Sequence, residues 1–308
     1  MSDERRVLLT GATGFIGSHC ISLLLDRGFQ VHAVWSKKEE CLYQDVIWHQ
    51  ADLLDPKQTI DLVENAKATH LLHLAWYVVP GKLITSIQNY EWVQSSLTLL
   101  REFAEKGGRR VVMSGSSYEY DWNYGYCTEL VTPTTPNTFY GICKNALNSL
   151  VTPYAKEKGL SSAWPRIFFL YGPHEHRDRL VPAVISSLLK GEAACTSHGR
   201  QIRDYLYVKD VAAALVRILD SDIEGPINIG SGTPIALKEI IRTIGQKIGR
   251  EDLIHLGAIP SRPNDTPFVL ADNSRLSNEL GWEPEYDLET GLEETIAWWK
   301  KVLDEQGR

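Results

Sequence analysis

Val7-Leu-Leu-Thr-Gly-Ala-Thr-Gly-Phe-Ile-Gly17 decides how this chain is read. The apolar run Val7 to Leu9 predicts a buried first strand. It breaks into Gly11, Gly14 and Gly17, and an apolar helical pattern follows at once. The chain must swing from strand to helix while its backbone comes close to a diphosphate, and a Cβ would obstruct that approach. Free N–H groups at the start of a helix then attract the anion. The Gly-x-x-Gly-x-x-Gly spacing differs from the commoner Gly-x-Gly-x-x-Gly fingerprint. An ordinary strand-to-helix turn carries the same triplet, so the nucleotide reading depends on a catalytic set further along.

The rest of the chain is compatible with a large α/β enzyme. Its 308 residues suffice for one big unit or two closely packed lobes. Charged residues at 23% and hydrophobic ones at 43% match an ordinary globular protein. A net charge of −7 and the lack of a basic stripe argue against nucleic-acid binding. Met-Ser-Asp-Glu-Arg-Arg at the start carries no apolar signal segment, and no run is long enough to span a membrane. The five cysteines are odd in number and scattered, which suggests reduced thiols in a cytoplasmic protein.

Strand patterns fall at 5–10, 30–35, 46–50, 69–74, 110–114 and 161–169. Helical patterns fall at 15–27, 56–65, 83–106 and 137–158, with Asp55 as an N-cap and Pro153 as a disturbance of the last. This alternation predicts a Rossmann-type, doubly wound parallel sheet. Beyond it, helices are expected at 179–190, 208–220, 237–248 and 288–303, with short strands at 226–229 and 253–256. The expectation is an α/β chain with a dinucleotide-binding domain over 1–170. A smaller α/β substrate lobe follows over 171–308, its segments free to interleave with the first.

Strand two ends in Trp35-Ser36-Lys37-Lys38. An acid there would select NAD, whereas a hydroxyl and two cations accommodate the 2′-phosphate of NADP. The alternative is a solvated lysine-rich loop, which leaves NAD open. Asp52 and Leu53 follow strand three and fall near the adenine. His73-Leu74-Ala75-Trp76 closes strand four, so Leu74 and Ala75 line the next part of the cofactor. His73 itself reads as a satisfied core histidine rather than a catalyst.

Strand five runs into Ser114-Gly-Ser-Ser117, placing hydroxyls at the carboxyl end of a central strand. Downstream, Tyr140 and Lys144 stand four apart, on one face of a helix. A free tyrosine titrates at about 10. A neighbouring ammonium and a positive nicotinamide favour the phenolate, and a shift of about three units takes roughly 4 kcal/mol.

These residues together resemble the extended short-chain dehydrogenase/reductase family, in its nucleotide-sugar epimerase/dehydratase/reductase branch. The resemblance covers nearly the whole chain. Besides the motifs above it rests on Tyr171-Gly-Pro173, Gly199-Arg-Gln-Ile-Arg-Asp-Tyr205, Val208-Lys-Asp-Val211, Ser261-Arg-Pro-Asn-Asp265 and Leu280-Gly-Trp-Glu-Pro284. It implies Tyr140 as general acid/base and Lys144 as the residue that binds the nicotinamide ribose. Ser116 would hold the substrate oxygen, with Ser117 and Tyr118 beside it. Phe15 and Ile16 join the glycines around the diphosphate, and Pro165 and Ile167 fall near the carboxamide. Arg203 and Arg262 would grip the substrate diphosphate, and Val181 would lie along the nucleotide base. The branch also implies a homodimer through the two long helices, for which Leu97, Leu100, Leu147 and Leu150 supply contacts or else face the sheet.

Departures narrow the reaction. The branch's 4,6-dehydratases place an acid just after the active hydroxyl, where this chain has Ser117-Tyr118 and then Glu119, one residue late. Trp92 replaces an Asn in the long helix, and Phe169 replaces the Asn ahead of Tyr-Gly-Pro. Tyr118-Glu-Tyr-Asp-Trp122 either meets a sugar or packs as a surface loop. His174 and His176 lack a third ligand in register, so no metal is expected. The expected activity is NADP-dependent reduction of a nucleotide-linked 4-keto-6-deoxy sugar. The alternatives are an epimerase using transient oxidation at C4, or a non-catalytic dinucleotide sensor.

Overall fold

The computed structural model describes residues 5–36, 43–261 and 265–306. β1 (Arg6–Thr10) is buried at each position after Arg6. α1 (Gly17–Asp26), β2 (Gln30–Trp35), β3 (Val46–Gln50), α2 (Pro56–Ala66), β4 (His70–His73), α3 (Gln88–Glu105) and β5 (Arg110–Met113) follow. Asp55 caps α2 by accepting from the Lys57 and Gln58 N–H groups, and Pro56 fits the first helical position. Then come β6 (Gly115–Ser116), β7 (Tyr126–Cys127), α4 (Phe139–Glu157), β8 (Ser161–Ile167) and β9 (Phe169–Tyr171).

The remainder comprises α5 (Leu180–Leu189), β10 (Ala194–Thr196), β11 (Ile202–Tyr207), α6 (Val208–Leu219), β12 (Gly225–Ile229), β13 (Pro234–Ala236), α7 (Leu237–Ile248), β14 (Ile254–Leu256), β15 (Phe268–Ala271), α8 (Ser274–Leu280) and α9 (Leu288–Gln306). The main sheet runs β12-β8-β5-β4-β1-β2-β3, with β6 also paired to β8, and its pairings are parallel. Strand order reverses between β1 and β4, which opens a crevice at the carboxyl edge of the sheet. Cys20, Leu24, Val211 and Leu215 from α1 and α6 bury one face. Leu99, Phe103, Leu147 and Val151 from α3 and α4 bury the other. Each such side chain contributes about 1.5–3 kcal/mol by leaving water.

A smaller sheet, β13-β11-β15-β7 with β9 on β11, lies beyond the crevice. β12, late in the chain, joins the main sheet, whereas β7, from the first half, joins the smaller one. The chain therefore interleaves its two sheets.

Several element boundaries differ from the sequence expectation. α3 begins at Gln88, not at 83, because Val79 to Ser86 form turns whose carbonyls at Leu83 and Ser86 accept from the Asn89 amide. The sixth strand stops at Ile167, and Phe169–Tyr171 departs to pair with β11. α4 continues through Pro153, which faces solvent, where water can serve the carbonyl freed by the missing N–H. β11 and β15 were not anticipated.

Candidate active site

The glycine loop closes tightly on β4. Gly11 has φ +70°, and a Cβ there would lie 2.8 Å from the Ala75 nitrogen. A Cβ on Gly17 would overlap the Gly11 carbonyl. α1 starts with no side-chain cap and no acid in its first turn. Its leading N–H groups, flanked by glycine, make a cradle that fits a diphosphate. The residues present thus fit a nicotinamide dinucleotide.

Beneath the loop, Thr10 Oγ1 accepts from the Leu74 and Ala75 N–H groups. It also lies 2.7 Å from His73 Nδ1, while His73 Nε2 lies 2.9 Å from Ser96 Oγ. Ser96 gives its own proton to the Trp92 carbonyl, so the bonding pattern assigns the histidine proton to Nε2. Burial pulls His73 down to about 3, with Lys144 adding to the effect. His73 is a neutral core strut, as its sequence surroundings suggested.

The catalytic candidates meet at the carboxyl end of β5 and β6. Thr138 caps α4 by accepting from the Gly141 N–H, which fixes the start of the helix carrying Tyr140 and Lys144. The Tyr140 phenol hydrogen-bonds Ser116, and burial holds the phenol above its ordinary value despite that bond. In the chain alone, burial outweighs the pull of the Ser116 hydroxyl and favours the neutral phenol. Lys144 is buried, and its Nζ donates to the Ser114 carbonyl at 2.8 Å. Burial lowers Lys144 to about 7, with Glu119 opposing.

Glu119 turns away from the crevice. It is fully buried and accepts from the Ser116 N–H at 2.7 Å, from Trp164 Nε1 and from Arg166 Nε at 2.9 Å. No sequence signal gave Arg166 as its partner, because the pair spans 47 positions.

An aromatic wall continues from Tyr140. Tyr118 lies edge-on at 5.7 Å between ring centroids, and Trp122, Phe169 and Tyr205 follow in series. Arg203 lies against this wall, 5.4 Å from the Phe169 ring centroid and 6.0 Å from that of Trp122, and donates to Asp265 at 2.7 Å. Burial pulls Arg203 down, and Asp265 opposes this. Glu175, buried and with no hydrogen-bond partner for Oε2 among the described residues, also influences Tyr205 and was not singled out from the sequence.

The remaining sequence candidates divide. Ser36 is exposed just after Trp35, while Lys37, Lys38 and Arg262 lie outside the described residues. Asp52 Oδ1 accepts from the Leu54 N–H, and the Leu53 carbonyl accepts from Thr59 and Ser95. Phe15 and Ile16 are half-buried against the core of the smaller lobe. Ile167 ends β8, whereas Pro165 lies within that strand opposite Ile227. The Ser117 carbonyl accepts from Trp122 Nε1. Val181 departs from its expected place along a base: its side chain is enclosed with Val184, Ile185 and Ile240 in the core beneath α5.

A family model described as NAD dependent epimerase/dehydratase family matches residues 7–230. UDP-glucose 4-epimerase of Halalkalibacterium halodurans is 27% identical, covering 96% of this chain and 96% of that one. CDP-abequose synthase of Salmonella typhimurium is also 27% identical, over 94% of this chain and 97% of that one. Among solved structures, the NAD complex of Thermus thermophilus UDP-glucose 4-epimerase superposes with a TM-score of 0.86. It is 25% identical, and the match covers 96% of this chain and 99% of that one.

Proposed function

Since the chain belongs to the NAD dependent epimerase/dehydratase family, of the extended short-chain dehydrogenase/reductase type, we propose that it reduces the ketone of a nucleotide-linked 4-keto-6-deoxy sugar. The placement of Glu119 carries this reading. The acid nearest the active serine is committed to Ser116 N–H, Trp164 and Arg166, which leaves Tyr140 as the proton-transfer group. Eliminating water across C5 and C6 needs further acid–base groups, whereas exchanging one hydride and one proton needs only the tyrosine.

When bound, the reduced dinucleotide supplies the hydride that reaches the ketone carbon. Ser116 holds the ketone oxygen against Tyr140, and the phenol gives that oxygen its proton. The neutral phenol favoured by burial is the form this step uses. The resulting tyrosinate is reprotonated from solvent. Lys144 keeps one N–H on the Ser114 carbonyl and offers the others to the dinucleotide ribose. Exposed Ser36 favours NADP, while the NAD bound to the Thermus relative favours NAD.

The test is to mix purified protein with a 4-keto-6-deoxy sugar nucleotide and either NADPH or NADH. Stoichiometric loss of reduced-nicotinamide absorbance is expected. A second reading, a 4-epimerase, is favoured by the Halalkalibacterium and Thermus relatives. It would invert a hydroxyl sugar nucleotide with no net use of cofactor. Binding of dinucleotide without turnover of any sugar nucleotide would leave the sensor reading.

Arg203 would hold the substrate diphosphate. Arg203→Met should raise KM for the nucleotide sugar roughly 10- to 100-fold, the worth of charge-assisted hydrogen bonds, with kcat little changed. A fall in kcat at constant KM would refute that role. We also propose a homodimer through the outer faces of α3 and α4. Leu100 and Leu147 point into the core, but Leu150 and Ile142 are exposed and Leu97 is half-buried. Leu150→Glu should convert the dimer to a monomer at micromolar concentration. A monomeric mass for the unaltered protein would sink the proposal.

A further inference from the structure

We propose that Trp76 is a positioning residue for Lys144: its indole face is a platform that keeps the buried ammonium charged and aimed at the dinucleotide. The proposal rests on reading Lys144 as the dinucleotide-binding lysine. Lys144 Nζ lies 3.6 Å from the centroid of the Trp76 ring. The Ser114 carbonyl is its hydrogen-bond acceptor, on another side. An ammonium removed from water is drawn to a π face, and tryptophan offers the strongest one.

The platform is built independently of the lysine. Trp76 Nε1 donates to Asn89 Oδ1 at 2.9 Å. Asn89 is fully buried, and its amide nitrogen donates to the Leu83 and Ser86 carbonyls at 2.7 and 3.0 Å. Those two acceptors fix which end of the amide is oxygen, and hence the tilt of the indole. The Trp92 ring, 6.2 Å away, and the Tyr140 ring, edge-on at 6.4 Å, brace it from other sides. Trp76 stands three residues past the end of β4, next to Ala75, against which Gly11 packs, so the platform sits beside the glycine loop.

The other groups around Lys144 do not replace it. Glu119, from the turn after β6, opposes the effect of burial but is held in its ion pair with Arg166. His73, from β4, is kept neutral by burial and carries no counter-charge. Tyr140, one turn earlier on α4, is held as the neutral phenol. Among the described residues, the π face therefore shares the direct electrostatic support of the ammonium with the Ser114 carbonyl.

The test measures NADPH and NADH affinity against pH by calorimetry, in the full chain. Affinity should fall on the alkaline side as Lys144 loses its proton. Trp76→Leu should move that fall down by about one pH unit, tenfold in proton affinity, and Trp76→Phe by less. A chain carrying a fluorinated tryptophan at position 76 keeps the indole shape but weakens its face. It should show an intermediate shift even where the leucine variant fails to fold. An unmoved alkaline fall in the fluorinated chain, or an equal loss of affinity at all pH values, would reduce Trp76 to packing and overturn the proposal. Lys144→Met is the control for the underlying reading. If its affinity and pH dependence match those of the unaltered protein, the lysine has no part in dinucleotide binding and the inference falls with it.

Discussion

Tyr140→Phe is expected to lower kcat about 10³-fold, the worth of a positioned general acid, while dinucleotide affinity stays within about twofold. The substitution removes one oxygen and leaves the ring. That ring is buried edge-on against Trp76 and Tyr118, so its packing persists. The lost bond is the one to Ser116, whose Oγ still accepts from the Tyr118 N–H. Stability should change by only about 1 kcal/mol, the net worth of one buried hydrogen bond. The pH dependence has a defined sign. Burial holds the phenol above its ordinary value, so the proton is present throughout the neutral range. Reduction should therefore not gain rate as pH rises to neutrality, whereas the reverse oxidation, which needs the phenolate, should speed up with pH. Steady-state rates in both directions, with binding measured separately, check this. Turnover retained after Tyr140→Phe would assign the proton to another donor.

The parts of this site that were legible in the sequence share a short range. Gly11, Gly14 and Gly17 were readable because a turn within ten residues dictates them. Tyr140 and Lys144 were readable because one helical turn places both on one face. His73 was readable as a core residue because its neighbours are apolar. The parts that were missed depend on contacts between distant segments. Glu119 sits one residue from a catalytic acid's place in the chain, but its bonds to Trp164 and Arg166 of β8 show that it turns inward. Val181 is placed along the base by the resemblance alone, yet it shares a buried core with Ile240 of α7. Ile202–Tyr207 carried Arg203 within a recognisable motif, and the strand itself emerges only through pairing with β9, β13 and β15. Asn89 illustrates both cases: it lies a turn from the replaced Asn position, and its function as a clamp on Trp76 depends on the indole 13 residues away.

Arg166→Met should destabilise the fold by about 3–5 kcal/mol, because it strands a carboxylate without water or a cation. Glu119 is fully buried and Arg166 nearly so. The guanidinium donates to Glu119 and, through Nη1, to the Tyr120 hydroxyl at 3.0 Å. That hydroxyl donates in turn to Asn228 Oδ1 on β12. One side chain therefore ties the serine turn to the edge of the main sheet. Its loss should lower the unfolding midpoint by roughly 5–8 °C for a chain of this size. Activity should fall further than stability requires, since a carboxyl that protonates or turns toward water releases the Ser116 N–H. The double replacement Glu119→Leu with Arg166→Met separates the two effects. Removing both charges should return much of the lost stability, as exchanging a buried ion pair for apolar side chains commonly does. It should not return activity, because the Ser116 N–H has still lost its acceptor and the hydroxyl that meets Tyr140 is no longer held. Denaturant unfolding and kcat for the two variants decide the matter. If the double variant recovers both, Glu119 stabilises the fold without setting the geometry of Ser116.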